Sequence, residues 1–469
     1  MKKICYLILI QLSIFNYSNA QVFDVDTIQY NGDINKCLNI VIMGDGYTAL
    51  EQASFITTAT NLTNELFFKS PWSNYKNYFN VFAIKVISNE SGAKHPNTAS
   101  DCNTAFPAVP VANPDNYFGS SFDVAGIHRL IVAENETNIN NVLAANFPSY
   151  DAVVIIANTP YYGGSGGWYA TITTDASGGE TIAHELGHTF GLLADEYYAG
   201  DAYFNEKPNM TQQTDPTLVK WKNWLGYNGT GIDQYCCGGN SALWYKPSTN
   251  CKMEVLNSPY CSVCRQAIIE NIHATVSPIV SYFPSTSTVT PSQRYIDFKL
   301  TKLLKPIPNT LKRTWKLDGV IINNNVDSIN IDIAPLTNGS HTVTVSVEDT
   351  TEFIRVDNHS TVHLNVVTWS INMTTAGIDV ISKENNISCS IYPNPSSSIL
   401  NIAVQLEKES KLSIQLVSLE GKIIKQLTNE NSVNGEYLNS YNIEDLAKGT
   451  YIIQFKIGEI SHTQTFVKE

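Results

Sequence analysis

The run His184-Glu185-Leu186-Gly187-His188 sets two imidazoles and a carboxylate in the H-E-x-x-H spacing. On an α-helix, positions i and i+4 lie about 40° apart around the axis, so both imidazoles reach one ion. The carboxylate of Glu185 then projects toward a water that the ion would hold. The chemistry this implies is zinc-assisted hydrolysis. Zinc lowers the pKa of a bound water to about 7 and polarises a carbonyl, and a neighbouring carboxylate moves the proton. A catalytic zinc wants three protein ligands and an open fourth position. The extended pattern would place a third His at position 194, where the chain has Ala194; Asp195 and Glu196 are the available substitutes. Asp195 is preferred as the third ligand, which leaves Glu196 to hold an imidazole N–H.

These side chains need a helix that starts and stops in the right places. Ser177 and Glu180 have the three-residue offset of a capping box, which predicts the start. Gly191 suits the left-handed residue that ends a helix. The chain is then expected to turn back under the metal through Ala194-Asp195-Glu196-Tyr197. Just before the helix, Trp168 to Thr174 alternates like a strand. It is either an edge that pairs with an extended peptide or an ordinary core strand. The glycines at 163, 164, 166 and 167 form either a mobile rim or a turn. Met253 is a candidate floor beneath the metal or a plain buried methionine. His95, His128, His273, His341, His359, His363 and His462 show no ligand spacing and read as surface or core residues.

The wider chain fits an exported, folded protein. It has 469 residues, which suggests about three domains. Residues 1–20 read as a secretory signal peptide: Lys2 and Lys3, an apolar run from Cys5 to Ile14, then Ser18-Asn19-Ala20. No later stretch is apolar for long enough to span a bilayer, so an integral membrane protein is not expected. The net charge of −13 becomes −15 when Lys2 and Lys3 leave with the leader, which excludes the basic face of a nucleic-acid binder. Hydrophobic residues at 43% with only 16% charged residues exclude a disordered chain. Cys236, Cys237, Cys251, Cys261 and Cys264 crowd one stretch. Structural disulfides stapling an irregular loop are expected there, in preference to a zinc knuckle. Residues 21–280 read as mixed α/β. A Ser/Thr/Pro-rich linker follows, then strand after strand over 295–373, consistent with an immunoglobulin-like sandwich. A second linker covers 374–388, and 389–469 is again all strands. The expected fold class is therefore multidomain: an α/β zincin-like catalytic domain and two small all-β sandwich domains.

The first domain resembles the secreted IgA-peptidase-type zinc metallopeptidases, a metzincin-related family. The resemblance rests on Asn39-Ile-Val-Ile-Met-Gly-Asp-Gly-Tyr-Thr48, Tyr78-Phe-Asn-Val81, Ser88-Asn-Glu-Ser-Gly92 and Tyr162-Gly-Gly-Ser-Gly-Gly167. It continues through the 184–197 segment, Pro208-Asn209 with Thr211, Cys251-Lys-Met253 and Cys261-Ser-Val-Cys264. The family motif H-E-x-x-H-x-x-G-x-x-x-D-E is met in full. The resemblance implies Zn2+ at His184, His188 and Asp195, Glu185 as catalytic base, and a protein or peptide as substrate. Glu254, where a basic residue is expected, is a departure that bears on substrate contacts. Residues 389–469 look like a type IX secretion sorting domain, through Tyr392-Pro-Asn-Pro395, Gly421 and Gly449-Thr-Tyr451. That implies the type IX machinery as a partner, and a location outside or on the surface of a Gram-negative cell. A monomeric zinc endopeptidase is the expectation. The rival is an adhesin or glycan-binding protein on an inactive scaffold, and the intact Glu185 argues against it.

Overall fold

The computed structural model describes residues 21–373 and 388–469, apart from residues 105, 106, 292 and 420 and the side chains of residues 407 and 431. The expected leader, and all but the last residue of the second linker, lie outside the described residues. The protein is multidomain and mostly β, with few helices. The larger compact unit takes in the chain up to Val289 together with Asp297–Asn330 and Thr342–Ser370. The smaller unit comprises Thr290–Ile296, Ile331–His341 and Ile371–Glu469.

A six-stranded sheet organises the first part of the larger unit. Its strands are β1 (Val25–Gln29), β2 (Leu38–Asp45), β3 (Phe79–Ile84), β4 (Ala152–Ala157), β5 (Gly164–Gly166) and β6 (Ala170–Thr173). Their spatial order is β1-β3-β2-β4-β6-β5. The four inner strands are mutually parallel, and the outer two run antiparallel to their neighbours. Every residue of β2, β3 and β4 is buried, as strands covered on both faces must be. Successive side chains serve opposite layers. Ile40 and Ile42 face α1 (Gln52–Leu66), α3 (Gly178–Thr189) and α4 (Ser262–Thr275) through Phe55, Leu62, Leu186 and Ile268. Val41 and Met43 face α2 (Glu136–Asn146) through Ile139 and Leu143. Each such side chain contributes about 1.5–3 kcal/mol on burial, so the sheet is a rigid base for whatever its edge carries.

The sheet order decides between the two expectations for Trp168 to Thr174, in favour of an ordinary inner strand. Within Trp168 to Thr174, β6 is an inner strand, hydrogen-bonded to β4 on one side and β5 on the other. The last strand of the sheet is β5, formed by the middle of the glycine run, with Leu130 bridging Gly164 on its outer side.

Further along, Ile279–Phe283, Tyr295–Leu303 and Ser328–Asp332 form one sheet. Thr288–Val289, Asn365–Met373, Gly339–Asp349, Leu311–Leu317 and Val320–Asn324 form another, in that order. Trp315 and Trp369 stack with ring centroids 5.9 Å apart. In the smaller unit, the long antiparallel strands Ile399–Val417 and Ile423–Asn442 pair along most of their length. Ser388–Tyr392, Gly449–Ile457 and Ile460–Lys468 complete a five-stranded C-terminal layer. Its core is made by alternate residues of these strands, Leu400, Ile402 and Val404 from one and Ile453 and Phe455 from another.

Candidate metal centre

Helix α3 starts at Ser177, whose carbonyl accepts Glu180 N–H at 2.8 Å and Thr181 N–H at 2.9 Å. The expected capping box does not form. The Ser177 hydroxyl bonds Asp175, and the Glu180 carboxylate is drawn away by Lys69 at 2.6 Å and by Lys252. Two cations outcompete a backbone N–H for a carboxylate. The helix presents Ile182, Ala183 and Leu186 to the core. Its end also differs from expectation. Leu192, at φ +56°, takes the left-handed conformation, while Gly191 is needed for space. A Cβ at Gly191 would lie 2.7 Å from the Gly187 carbonyl oxygen and 2.9 Å from Ile268.

The turn brings Asp195 back to the two histidines. His184 Nε2, His188 Nε2 and Asp195 Oδ1 form a triangle with all three sides 3.2 Å. Each ring donates its Nδ1–H to a carbonyl oxygen, Lys252 for His184 and Leu193 for His188, both at 2.9 Å. Both Nε2 atoms therefore face the same point, and each neutral ring offers a lone pair there. Asp195 Oδ1 is buried there with no hydrogen-bond donor. A tetrahedral ion bonded to nitrogen and oxygen at about 2.0–2.1 Å separates its ligands by about 3.3 Å, so the donor set fits zinc. The electrostatics agree. Burial alone would favour a neutral His188, yet the Asp195 carboxylate outweighs it and lifts the ring to about 9, which marks a site that attracts positive charge.

Glu185 is buried beside this triangle, and burial raises its carboxyl above the usual range, offset in part by the two histidines. Strand β5 lies directly on it. A Cβ at Gly164 would sit 2.5 Å from Glu185 Oε1, and one at Gly166 2.7 Å from the His188 Cβ and 3.0 Å from Glu185 Oε2. Only a side-chain-free strand can approach this closely. The Tyr197 ring stacks on His184, and the Arg129 guanidinium lies 5.6 Å from the Tyr197 centroid. A cleft of about 1090 Å³ opens over the centre, lined among others by Arg129, Tyr162, Trp168, Tyr197 and Glu254.

Glu196 does not hold an imidazole. Asp195 meets the two histidines while the Glu196 side chain meets Asn209 and Cys264 instead. It is fully buried, with Oε1 3.0 Å from Asn209 Nδ2 and 3.1 Å from Cys264 Sγ. Cys251, Cys261 and Cys264 gather around it, all as free thiols, so the expected disulfide staple is absent from these three; Cys236 and Cys237 are bonded to each other. Met253 is buried against Gly187, where a Cβ would meet its sulfur at 2.8 Å, and its carbonyl accepts Glu196 N–H at 2.7 Å. Glu254 is compensated by a salt bridge from buried Lys246.

The sequence pointed to the three donors and Glu185. It did not reveal the carbonyls of Lys252 and Leu193 or the contact role of Gly164 and Gly166. Read as surface or core residues, His95 and His128 are indeed buried, and what the sequence did not show is that they converge on Asp123, and His359 and His363 on Glu270. No local spacing announces these, because their partners come from distant segments. Four groups among the described residues have the make-up to hold a metal ion: His184/His188/Asp195, Glu196/Cys251/Cys261/Cys264, His95/Cys102/Asp123/His128 and Glu270/His359/His363.

Residues 27–234 match the family model described as IgA Peptidase M64, and residues 390–469 match that of a secretion system C-terminal sorting domain. The first match suggests a secreted peptidase. The second marks a secreted or cell-surface protein of Bacteroidetes, a Gram-negative group. No curated protein matches the chain. Dimeric latent PorU from Porphyromonas gingivalis is similar at 11% identity and TM-score 0.16, over 41% of this chain and 20% of that one. Fibronectin(III)-like modules of Clostridium thermocellum CbhA are similar at 11% identity and TM-score 0.14, over 40% and 93%. The chain thus spans about a fifth of the length of the PorU chain. No helix among the described residues is long and apolar enough to cross a membrane.

Proposed function

We propose that this chain is a secreted zinc-dependent endopeptidase acting as a monomer on extracellular proteins. In this reading residues 21–280 form a zincin-like catalytic domain, 295–373 an immunoglobulin-like sandwich, and 389–469 the domain handed to the type IX secretion machinery. The observation that carries it is the equilateral convergence of His184 Nε2, His188 Nε2 and Asp195 Oδ1 beside buried Glu185. His184, His188 and Asp195 would hold zinc, which supplies a water acidic enough to ionise near neutral pH and a Lewis acid for the scissile carbonyl.

The chain's own groups do the rest. Glu185 takes the proton of the attacking water on a carboxylate oxygen and returns it to the leaving amine nitrogen. Its burial suits a group that must hold a proton between those two events. The carbonyls of Lys252 and Leu193 keep each imidazole in the tautomer that binds metal. Leu130 bridges the outer side of strand β5 at Gly164, and beyond that point the exposed Gly166 offers main-chain groups where an extended peptide can pair and lie across Glu185. Tyr197 stays protonated, because burial raises its phenol well above the usual range, and so remains a donor beside Asp195.

The test is cleavage of an unfolded protein substrate such as casein by the purified chain, with and without a chelator. Hydrolysis that stops on chelation and returns with added Zn2+ supports the reading; hydrolysis indifferent to the chelator sinks it.

A further inference from the structure

A second group of donors lies in the long segment between β3 and α2. His95 Nδ1 donates to the Pro110 carbonyl oxygen at 3.0 Å, which leaves its Nε2 as a lone pair. That lone pair faces Cys102 Sγ at 3.7 Å and Asp123 Oδ2 at 3.5 Å. Asp123 Oδ1 in turn lies 3.3 Å from Cys102 Sγ and 2.9 Å from His128 Nδ1. One ligand atom from each of the four residues falls within 4.8 Å of all the others. His95, Asp123 and His128 are buried, and Cys102 is half-buried.

Hydrogen bonding alone leaves this cluster short of protons. Cys102 has a single S–H, yet both His95 Nε2 and Asp123 Oδ1 face its sulfur as acceptors. Among the described residues Asp123 has no Lys or Arg partner; besides the two histidines and Cys102 it accepts the Thr98 N–H at 2.8 Å. His128 Nε2 is buried without any hydrogen-bond partner. The acceptor left without the Cys102 S–H, beside a buried carboxylate, is costly unless a cation meets it.

We propose that His95, Cys102, Asp123 and His128 bind a second divalent metal ion, of the zinc class. The donor types fit: two imidazoles, a thiolate and a carboxylate suit a borderline-soft ion, and with two positive charges the centre is neutral overall, as a buried site requires. Neighbouring donors lie 2.9–3.7 Å apart and one ligand atom from each of the four lies within 4.8 Å of the others, a spread that small side-chain shifts close to a tetrahedral shell. His95 repeats the arrangement of His184, with Nδ1–H on a carbonyl and Nε2 toward the other donors. Four protein ligands leave no open position, so this is a closed, structural site.

Its effect is to staple irregular chain. Among the described residues between 85 and 135, the regular structure amounts to two 3-10 turns and two strands of two residues each. A metal clip removes loop freedom that so little secondary structure cannot. The stapled segment continues into Arg129, Leu130 and Ile131, which brace the edge strand: Gly164 N–H donates to Arg129 O at 3.2 Å, and the Ser165 hydroxyl donates to Ile131 O. The inference stands on these residues alone and does not depend on the hydrolytic reading.

The experiment is elemental analysis of the purified full chain beside Cys102→Ser, Asp123→Asn and His188→Ala, each loaded with Zn2+ and freed of excess. Cys102→Ser and Asp123→Asn should each carry about one zinc fewer per chain than the parent. A loss in His188→Ala reports the other site and is separate. Since a variant can fail to fold, the parent itself gives a second readout. Iodoacetamide labelling of Cys102, read by peptide mass, should be blocked in the zinc-loaded protein and restored by chelation. Unchanged zinc content in Cys102→Ser, or equal labelling of Cys102 with and without zinc, overturns the proposal.

Discussion

The Nδ1–H of His184 donates to the carbonyl oxygen of Lys252 at 2.9 Å, across 68 residues of chain. The Lys252 ammonium in turn bonds Glu180, one turn before His184 on the same helix. The helix thus anchors the very loop whose backbone orients its own histidine.

Replacing Glu180 by Gln should lower stability at pH 7 by about 2 kcal/mol, because the Lys252 side chain, 3% exposed, loses its counter-charge. Burial would raise the Glu180 carboxyl, but Lys252 and Lys69 overcome it and hold it below the usual carboxylate value. A folded-state value below the unfolded one gives stability that is full above about pH 4.5 and fades as the pH falls through the folded value. Denaturant curves of parent and variant should therefore stand apart at neutral pH and draw together in acid. Coincident curves at neutral pH would break the link between this ion pair and the loop.

Glu185→Gln should cut casein about a thousandfold more slowly than the parent while keeping its zinc, since the amide cannot accept the water's proton. Kinetics and metal content measured on one preparation decide it. A variant as fast as the parent removes Glu185 from the chemistry.

Asp195→Ala should lose the zinc held with His184 and His188, because two imidazoles alone leave the ligand set incomplete. Equilibrium dialysis against Zn2+ should show about one site fewer than in the parent. Full retention would reassign the third ligand.

Gly164→Ala and Gly166→Ala each force a methyl onto Glu185 or His188, at 2.5–2.7 Å. Both should depress kcat by at least about tenfold, as overpacking displaces the reacting groups. Gly167→Ala is the control: its methyl meets nothing nearer than Tyr169 O at 3.9 Å, and activity should be kept. Equal activity in all three variants would mean that β5 is not the wall of the site.

The legible parts of this protein were local. The i, i+4 spacing fixes His184 and His188 on one helical face, and the acidic pair after Gly191 supplies the third donor within a single turn back. The apolar runs of β2 and β4 announce a buried sheet. What escaped was decided by distant segments. Gly191 suited a left-handed stop, but the close pass of Ile268 demands its missing side chain, and Leu192 takes the positive φ instead. Ser177 and Glu180 had capping-box spacing until Lys69 and Lys252 claimed the carboxylate. Strand order is a property of pairing, so nothing in Trp168 to Thr174 could reveal that the glycine run covers its outer side. Glu196, expected to hold an imidazole N–H, is instead enclosed by three cysteines from 55 to 68 residues onward.

Strand β5 is Gly-Ser-Gly, and past Gly164, which Leu130 bridges, its edge shows an incoming chain little but peptide groups. Such a surface is blind to residue identity: any extended segment meets the same donors and acceptors. In the proposed endopeptidase reading, discrimination among sequences then falls to the bulky rings around the cleft, with Tyr162 and Trp168 each 44% exposed and Tyr203 58%. The aligning element and the selecting elements are separate parts of the molecule. A change of preference can then arise by exchanging rim aromatics while the glycines, and the geometry over Glu185, stay as they are.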